Sequence, residues 1–234
     1  SVIIVGLGTL GQALFGFGGG LIIVPLVALL LGIKTAVALA LVVQLAMGIL
    51  VFPALKHVRW TLAWPILLTL LPSTALGIWM YESFNEVILR VVLMTFIGLF
   101  LTNKLFFPTL RLFRPTSVWA GVAGFFGGIL QGVLGTGGPP LVILLAEYEL
   151  EKHEFRALVM LLLFATNLLR FGVFTFRGLF SAEVQSMGLY SIPLVLLALF
   201  LGERLHSLIS ENTYRYSVYT ILGLSFLSLG VKLL

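Results

Sequence analysis

The chain has 234 residues, 60% of them hydrophobic and only 10% charged, with a mean hydropathy of +1.15. A soluble domain carries roughly 25% charged residues, so this chain has too little charge to cover a water-facing surface, and lipid must be much of its solvent. The net charge of +5 comes from Lys and Arg set between apolar runs, which fits membrane-protein loops better than a nucleic-acid-binding face, and the lack of cysteine excludes disulfides and thiolate metal sites.

In chain order, apolar runs cover roughly Val2–Leu31, Ala36–Leu55, Leu62–Tyr81, Val87–Phe107, Val118–Leu145, Ala157–Phe176, Val184–Leu201 and Tyr216–Leu234. Several approach or exceed the roughly 20 residues that cross hydrocarbon as a helix. The expected class is therefore all-α: a polytopic membrane protein of about eight segments. The opening at Ser1, inside an apolar stretch without Met or a basic leader, reads as a trimmed start and not as a signal peptide.

The sequence repeats itself. Gln12, Gly16, Gly18 and Gly19 recur 119 positions later as Gln131, Gly135, Gly137 and Gly138. Arg90, Thr95 and the pair Gly98 and Leu99 recur 125 positions later as Arg215, Thr220, Gly223 and Leu224. Apolar bias alone produces Leu and Gly matches, but not coincident Gln, Arg and Thr. The expected organisation is a first membrane repeat over residues 1–107, a basic connecting loop over 108–117 with Arg111 and Arg114, and a second repeat over 118–234.

Each half opens with a Gly-rich interruption: Gly16 to Gly20 followed by Pro25, and Gly135 to Gly138 followed by Pro139 and Pro140. Glycine frees the backbone and proline withholds a donor, so each opening segment is expected to be a broken or re-entrant helix. A helix that starts in mid-membrane aims free N–H groups, with the positive end of its dipole, into the gap, and this suits an anion. The candidate substrate-binding residues are therefore Gly18, Gly19 and Gly20 in the first break and Thr136, Gly137 and Gly138 in the second. The competing reading is that these glycines only permit close packing.

Polar residues inside the runs extend this set. Gln12 and Gln131 stand one turn before each break and offer amide donors, or else only hold helices together. Gln44 lies in the middle of the second run and Asn167 near its counterpart in the sixth. Arg170, with apolar neighbours on both sides and Asn167 three residues before it, is either a charge at the site or a side chain that snorkels to an interface.

Other signals are weaker. Gly6, Gly8 and Gly11 fit the GxGxxG spacing, but no acid follows before Glu82, so small residues packing in lipid explain them better than a dinucleotide. His57, His153 and His206 fall in loops and no acidic residue lies mid-run. A metal site, a cofactor, an intramembrane protease and a carboxylate proton relay therefore all lack their parts.

The segments Leu14 to Pro25 and Val133 to Val142, with the later pairs Leu76–Gly77 and Leu201–Gly202, resemble the sulfite exporter TauE/SafE family over nearly the whole chain. The resemblance implies a permease for sulfite, sulfonates and related sulfur-containing organic anions. The second copy departs in carrying Pro139 and Pro140 where a third glycine might stand, so the two breaks need not be equivalent. The expected activity is transport of a small anion by alternating access at a site between the repeats. The alternatives are an anion channel or uncoupled facilitator and, far behind, an embedded enzyme. The expected setting is the cell membrane, multi-pass, with the bilayer and the anion as partners, homodimerisation left open and no nucleic acid.

The positive-inside rule discriminates between the two kinds of break. If each opening segment spans, basic residues divide seven against six. If each returns to its own side, they divide nine against four, with Lys56, Arg59, Lys104, Arg111, Arg114, Lys152, Arg156, Arg204 and Arg215 inside. Re-entrant openings are therefore expected, with halves of opposite orientation. Cysteines introduced at Thr109 and Ser210 should then be shielded from an impermeant thiol reagent added outside sealed cells; labelling at both would reject this orientation.

Overall fold

The computed structural model describes residues 4–6, 8–10, 19–46, 48, 51–106, 116–205, 220, 223, 226 and 227. Gln12, Gly18, the Arg111–Arg114 loop and most of the last apolar run lie outside them. The described regular structure is entirely helical: α1 Gly19–Leu31, α2 Ile33–Ala46, α3 Val51–Ala54, α4 Trp60–Ser83, α5 Glu86–Phe106, α6 Ser117–Leu134, α7 Gly138–Leu145, α8 Lys152–Phe176 and α9 Ala182–Leu205.

Among the described residues, four helical stretches are long and apolar enough to cross a bilayer: Trp60–Ser83, Ser117–Leu134, His153–Phe176 and Ala182–Leu201. The bent pair Ile33–Ala46 and Val51–His57 makes a fifth if it is one span. Side chains such as Trp64, Leu68, Trp79, Phe126 and Phe176 are exposed on these helices. That pattern fits elements whose outer faces meet lipid and not water.

The chain divides into two compact units, and each draws on both halves of the sequence. One combines Ser1–Val43, Phe84–Leu110 and Phe180–Leu234; the other combines Gln44–Ser83 and Arg111–Leu179.

In the second unit, α4 and α6 lie against each other in parallel through a ladder of small residues. A Cβ built at Gly124 would sit 2.8 Å from the Ile66 carbonyl, one at Gly128 3.0 Å from the Thr74 amide, and one at Gly132 2.7 Å from Gly77 Cα. The partners advance along α4 as the glycines advance along α6, one turn at a time, so the helices run in the same direction. In lipid there is no hydrophobic drive between helices, and close backbone approach through small residues supplies dispersion contacts instead. Ser73 and Thr74 face this seam with their hydroxyls satisfied by carbonyls one turn back, at 2.7 Å each.

The α6–α7 segment leaves one end of the unit and comes back to it. α6 starts at its N-cap Thr116 and stops at Gly135, whose φ of 70° belongs to the left-handed region that glycine adopts freely. After Gly137 the chain packs back on α6: a Cβ at Gly127 would lie 3.3 Å from the Gly137 carbonyl and 3.2 Å from Leu141 Cγ. The Tyr148 hydroxyl then donates to the Thr116 carbonyl, at the start of α6, at 3.4 Å. α8 begins at that same end, where Arg59 pairs with Glu154 at 3.0 Å and the His57 and His153 rings meet edge to face at 4.5 Å. It finishes beside the end of α4, where Arg177 lies 3.7 Å from Glu82. Thus α4, α6 and α8 are all parallel, and α7 is the return arm of a hairpin.

The first unit contains contacts of the same kind. A Cβ at Gly8 would lie 3.3 Å from the Gly19 carbonyl and would also meet Ile23, and one at Gly6 would lie 2.8 Å from Leu194 of α9. α9 also packs on α2, with Val42 2.9 Å from a Cβ at Gly188.

The α4–α6 seam yields a test. Gly132→Val introduces a branched side chain against backbone and should destabilise the protein by about 1–3 kcal/mol, seen as a lower melting temperature. Gly121→Ala, whose Cβ would meet only the Thr69 methyl at 3.6 Å, should leave it nearly unchanged. Equal melting temperatures for the two variants would contradict the seam.

Candidate functional site

Seven of the sequence-predicted residues, Gln44, Gln131, Thr136, Gly137, Gly138, Asn167 and Arg170, lie at the break between α6 and α7, together with Gly135. Gln131, in the last turn of α6, is the hub. Its Oε1 accepts from the Gly137 amide at 2.6 Å, and its Nε2 donates to Asn167 Oδ1 at 2.8 Å and, at 3.4 Å, to Gln44 Oε1. Gln44 in turn donates from Nε2 to the Gly135 carbonyl at 3.1 Å. Gln44, Gln131, Thr136 and Asn167 are buried, and Gly137 and Gly138 are buried with them.

The amides therefore satisfy two of the backbone groups that the broken helix exposes, the Gly137 N–H and the Gly135 carbonyl. The Gly137 N–H is engaged by Gln131, and Pro139 and Pro140 have no N–H. Unpartnered donors are also found among the side chains.

Arg170 is the foremost of these. It has 0% exposure, so the snorkelling reading does not describe it. Its Nη1 makes one long contact, 3.4 Å, to Asn167 Oδ1, while Nε and Nη2 are buried without any hydrogen-bond partner. The guanidinium lies against Gly135, where a Cβ would be 3.1 Å from Nη1 and 3.2 Å from Nη2. Glycine at 135 is thus required twice, by its positive φ and by this approach. Thr136, the next residue, has a buried hydroxyl that is likewise without a partner.

Beyond Arg170 along α8, Phe174 and Arg177 follow at helical spacing. The Arg170 Cζ lies 5.5 Å from the Phe174 ring centre, a cation–π contact, and Phe174 stacks on Tyr81 of α4 at 5.1 Å. The Arg177–Glu82 contact follows at the helix ends. Sequence reasoning missed these partners of Arg170; the spacing of Phe174 from Arg170 along α8 was the available signal. Glu82 and Tyr81 have none, because their partners are about ninety residues away.

At the opposite end of the unit, a cleft of about 490 Å³ is lined by Arg59, Thr61, Pro65, Thr116, Ser117 and Tyr148 among others. Burial raises the Tyr148 phenol above its ordinary value and keeps it a neutral donor. No group of three or more His, Cys, Asp or Glu residues able to hold a metal occurs among the described residues.

Of the first break, Gly19 and Gly20 are described, buried at the start of α1; Gln12 and Gly18 are not.

A protein from Cupriavidus necator, described as a probable sulfite/organosulfonate exporter TauE, is 27% identical over 228 residues, covering 94% of this chain and 88% of that protein. No solved structure matches. The family model described as sulfite exporter TauE/SafE matches residues 1–229, and the chain belongs to that family.

Proposed function

We propose that this protein exports a small sulfur-containing oxyanion, sulfite or an organosulfonate, as a multi-pass protein of the cell membrane. Family membership and the relative from Cupriavidus necator support the reaction class. The observation that carries the site is the buried Arg170 edge with no partner, next to the unpartnered Thr136 hydroxyl. A buried cation in a membrane protein is costly, on the order of several kcal/mol after relaxation. An anionic substrate is the group that would compensate it.

On this reading Gln44, Gln131 and Asn167 hold the break in shape and position Arg170, while Arg170 and Thr136 touch the substrate. The absence of exposure at Arg170 favours an occluded, carrier-like site over an open pore. The two Gly-rich segments are re-entrant hairpins of a duplicated chain. The contact of Gly124 with Thr69 supports this, because shifting its partners by the offsets 119 and 125 leads to positions 5 and 194, beside the observed contact of Gly6 with Leu194. The Arg59–Glu154 pair, at the end to which α7 returns, supports the same orientation.

Two expected outcomes test the site. In proteoliposomes loaded with sulfite or an organosulfonate, Arg170→Met should lose efflux by tenfold or more while remaining folded; undiminished efflux would remove Arg170 from the site. Gln131→Leu leaves the Gly137 amide and Asn167 Oδ1 without their partner, which costs about 1–3 kcal/mol for each buried group. Both melting temperature and anion affinity should therefore fall. A loss of stability with affinity intact would make Gln131 a packing residue only.

A further inference from the structure

The geometry points to a three-donor receptor for a pyramidal or tetrahedral oxyanion, formed by the Nε–Nη2 edge of Arg170 and the Thr136 hydroxyl. This inference rests on the anion-export reading and specifies how that site recognises its ligand. Nε and Nη2 are the two atoms of one guanidinium edge, on the side away from Cδ, and their N–H bonds point the same way. That edge matches two oxygens on one central atom, a pairing that a point charge does not reproduce. The remaining nitrogen, Nη1, is the one that Asn167 engages, at 3.4 Å. The division is therefore not arbitrary: the neutral network holds one corner of the guanidinium and leaves the fork vacant.

Thr136 adds a donor of a different kind. It follows Gly135, which the guanidinium touches, and its Oγ1 is buried and unpartnered. A carboxylate brings two oxygens, both consumed by the fork. A sulfonate or sulfite brings a third that sits out of the plane of the first two. Two donors on one guanidinium edge and a third from a separate side chain next to Gly135 match in number three oxygens around one sulfur. A halide offers the fork no pair of acceptors.

The test is anion-dependent thermal unfolding of the full chain in nanodiscs, with methanesulfonate, acetate and chloride as probes. Methanesulfonate should raise the melting temperature most, acetate should bind at least threefold more weakly, and chloride should have little effect at the same concentration. Arg170→Lys, which keeps the charge and loses the fork, should bind methanesulfonate at least tenfold more weakly, with a normal helical circular-dichroism spectrum. Thr136→Val should narrow the preference for methanesulfonate over acetate while leaving acetate affinity unchanged. Equal responses to methanesulfonate and chloride, or full methanesulfonate affinity in Arg170→Lys, would overturn the receptor. If proteoliposomes still export sulfite in that case, only the fork is lost; if they export no sulfur oxyanion, the proposed function fails as well.

Discussion

Where a helix breaks in apolar surroundings, its freed N–H and C=O groups have neither water nor a following turn to bond, and a side chain must supply what is missing. Gln131 does this for the α6–α7 break. Its oxygen takes the Gly137 amide and its nitrogen reaches Asn167 and Gln44, the second of which holds the Gly135 carbonyl. One side chain thus couples the end of α6, the start of α7, and residues of α2 and α8. Arg170 is placed by the far side of this arrangement: Asn167 both accepts from Gln131 and touches Nη1. The neutral network and the buried charge belong to one structure, since the first fixes where the second can lie.

The environment of Arg170 offsets its burial only in part. Phe174 offers a ring face, and the close approach to Gly135 keeps the guanidinium in the protein interior. Among the described residues Arg170 has no carboxylate partner, and its fork edge has no hydrogen-bond acceptor. On the proposed reading the anion completes a site whose buried guanidinium edge has no partner of its own. Its strength depends on how completely water is excluded. An inside-negative potential of 100 mV adds about 2.3 kcal/mol for each negative charge moved outward, so net export of an anion needs no buried carboxylate to drive it.

Much of this was legible in the sequence, and for identifiable reasons. Apolar runs located the long helices, since lipid imposes both their length and their composition: Leu62–Tyr81 became α4, Trp60–Ser83, and Ala157–Phe176 became α8, Lys152–Phe176. The early start of α8 was missed because its first turn is polar and held by a contact from the Glu151 amide to the Glu154 carboxylate at 3.2 Å. Glycines and prolines at 135–140 gave the break. The candidate residues Gln44, Gln131, Asn167 and Arg170 stood out because polar groups in apolar runs need a reason, and Thr136 came with the second break. What the sequence could not supply was who satisfies whom. That Gln131 reaches Asn167 and Gln44, and that Gln44 holds the Gly135 carbonyl, depends on contacts between residues 36 to 91 positions apart.

The partition of the chain into units has a consequence for the order of synthesis. The glycine ladder of α6 meets α4, made some fifty residues earlier, and α9 meets the small residues around Gly6, made nearly two hundred residues earlier. The unit containing Ser1–Val43 also includes Phe180–Leu234, and the other is not complete before Leu179. Neither half of the sequence emerges from the ribosome with all of its contacts available. α4 must wait in the bilayer with Gly77, Ser73 and Thr74 uncovered until α6 inserts, and Gly6 must wait longer still for Leu194. A chain arrested midway would present small-residue faces to lipid and to other proteins, so the latter part of synthesis is when this fold is most exposed to wrong partners.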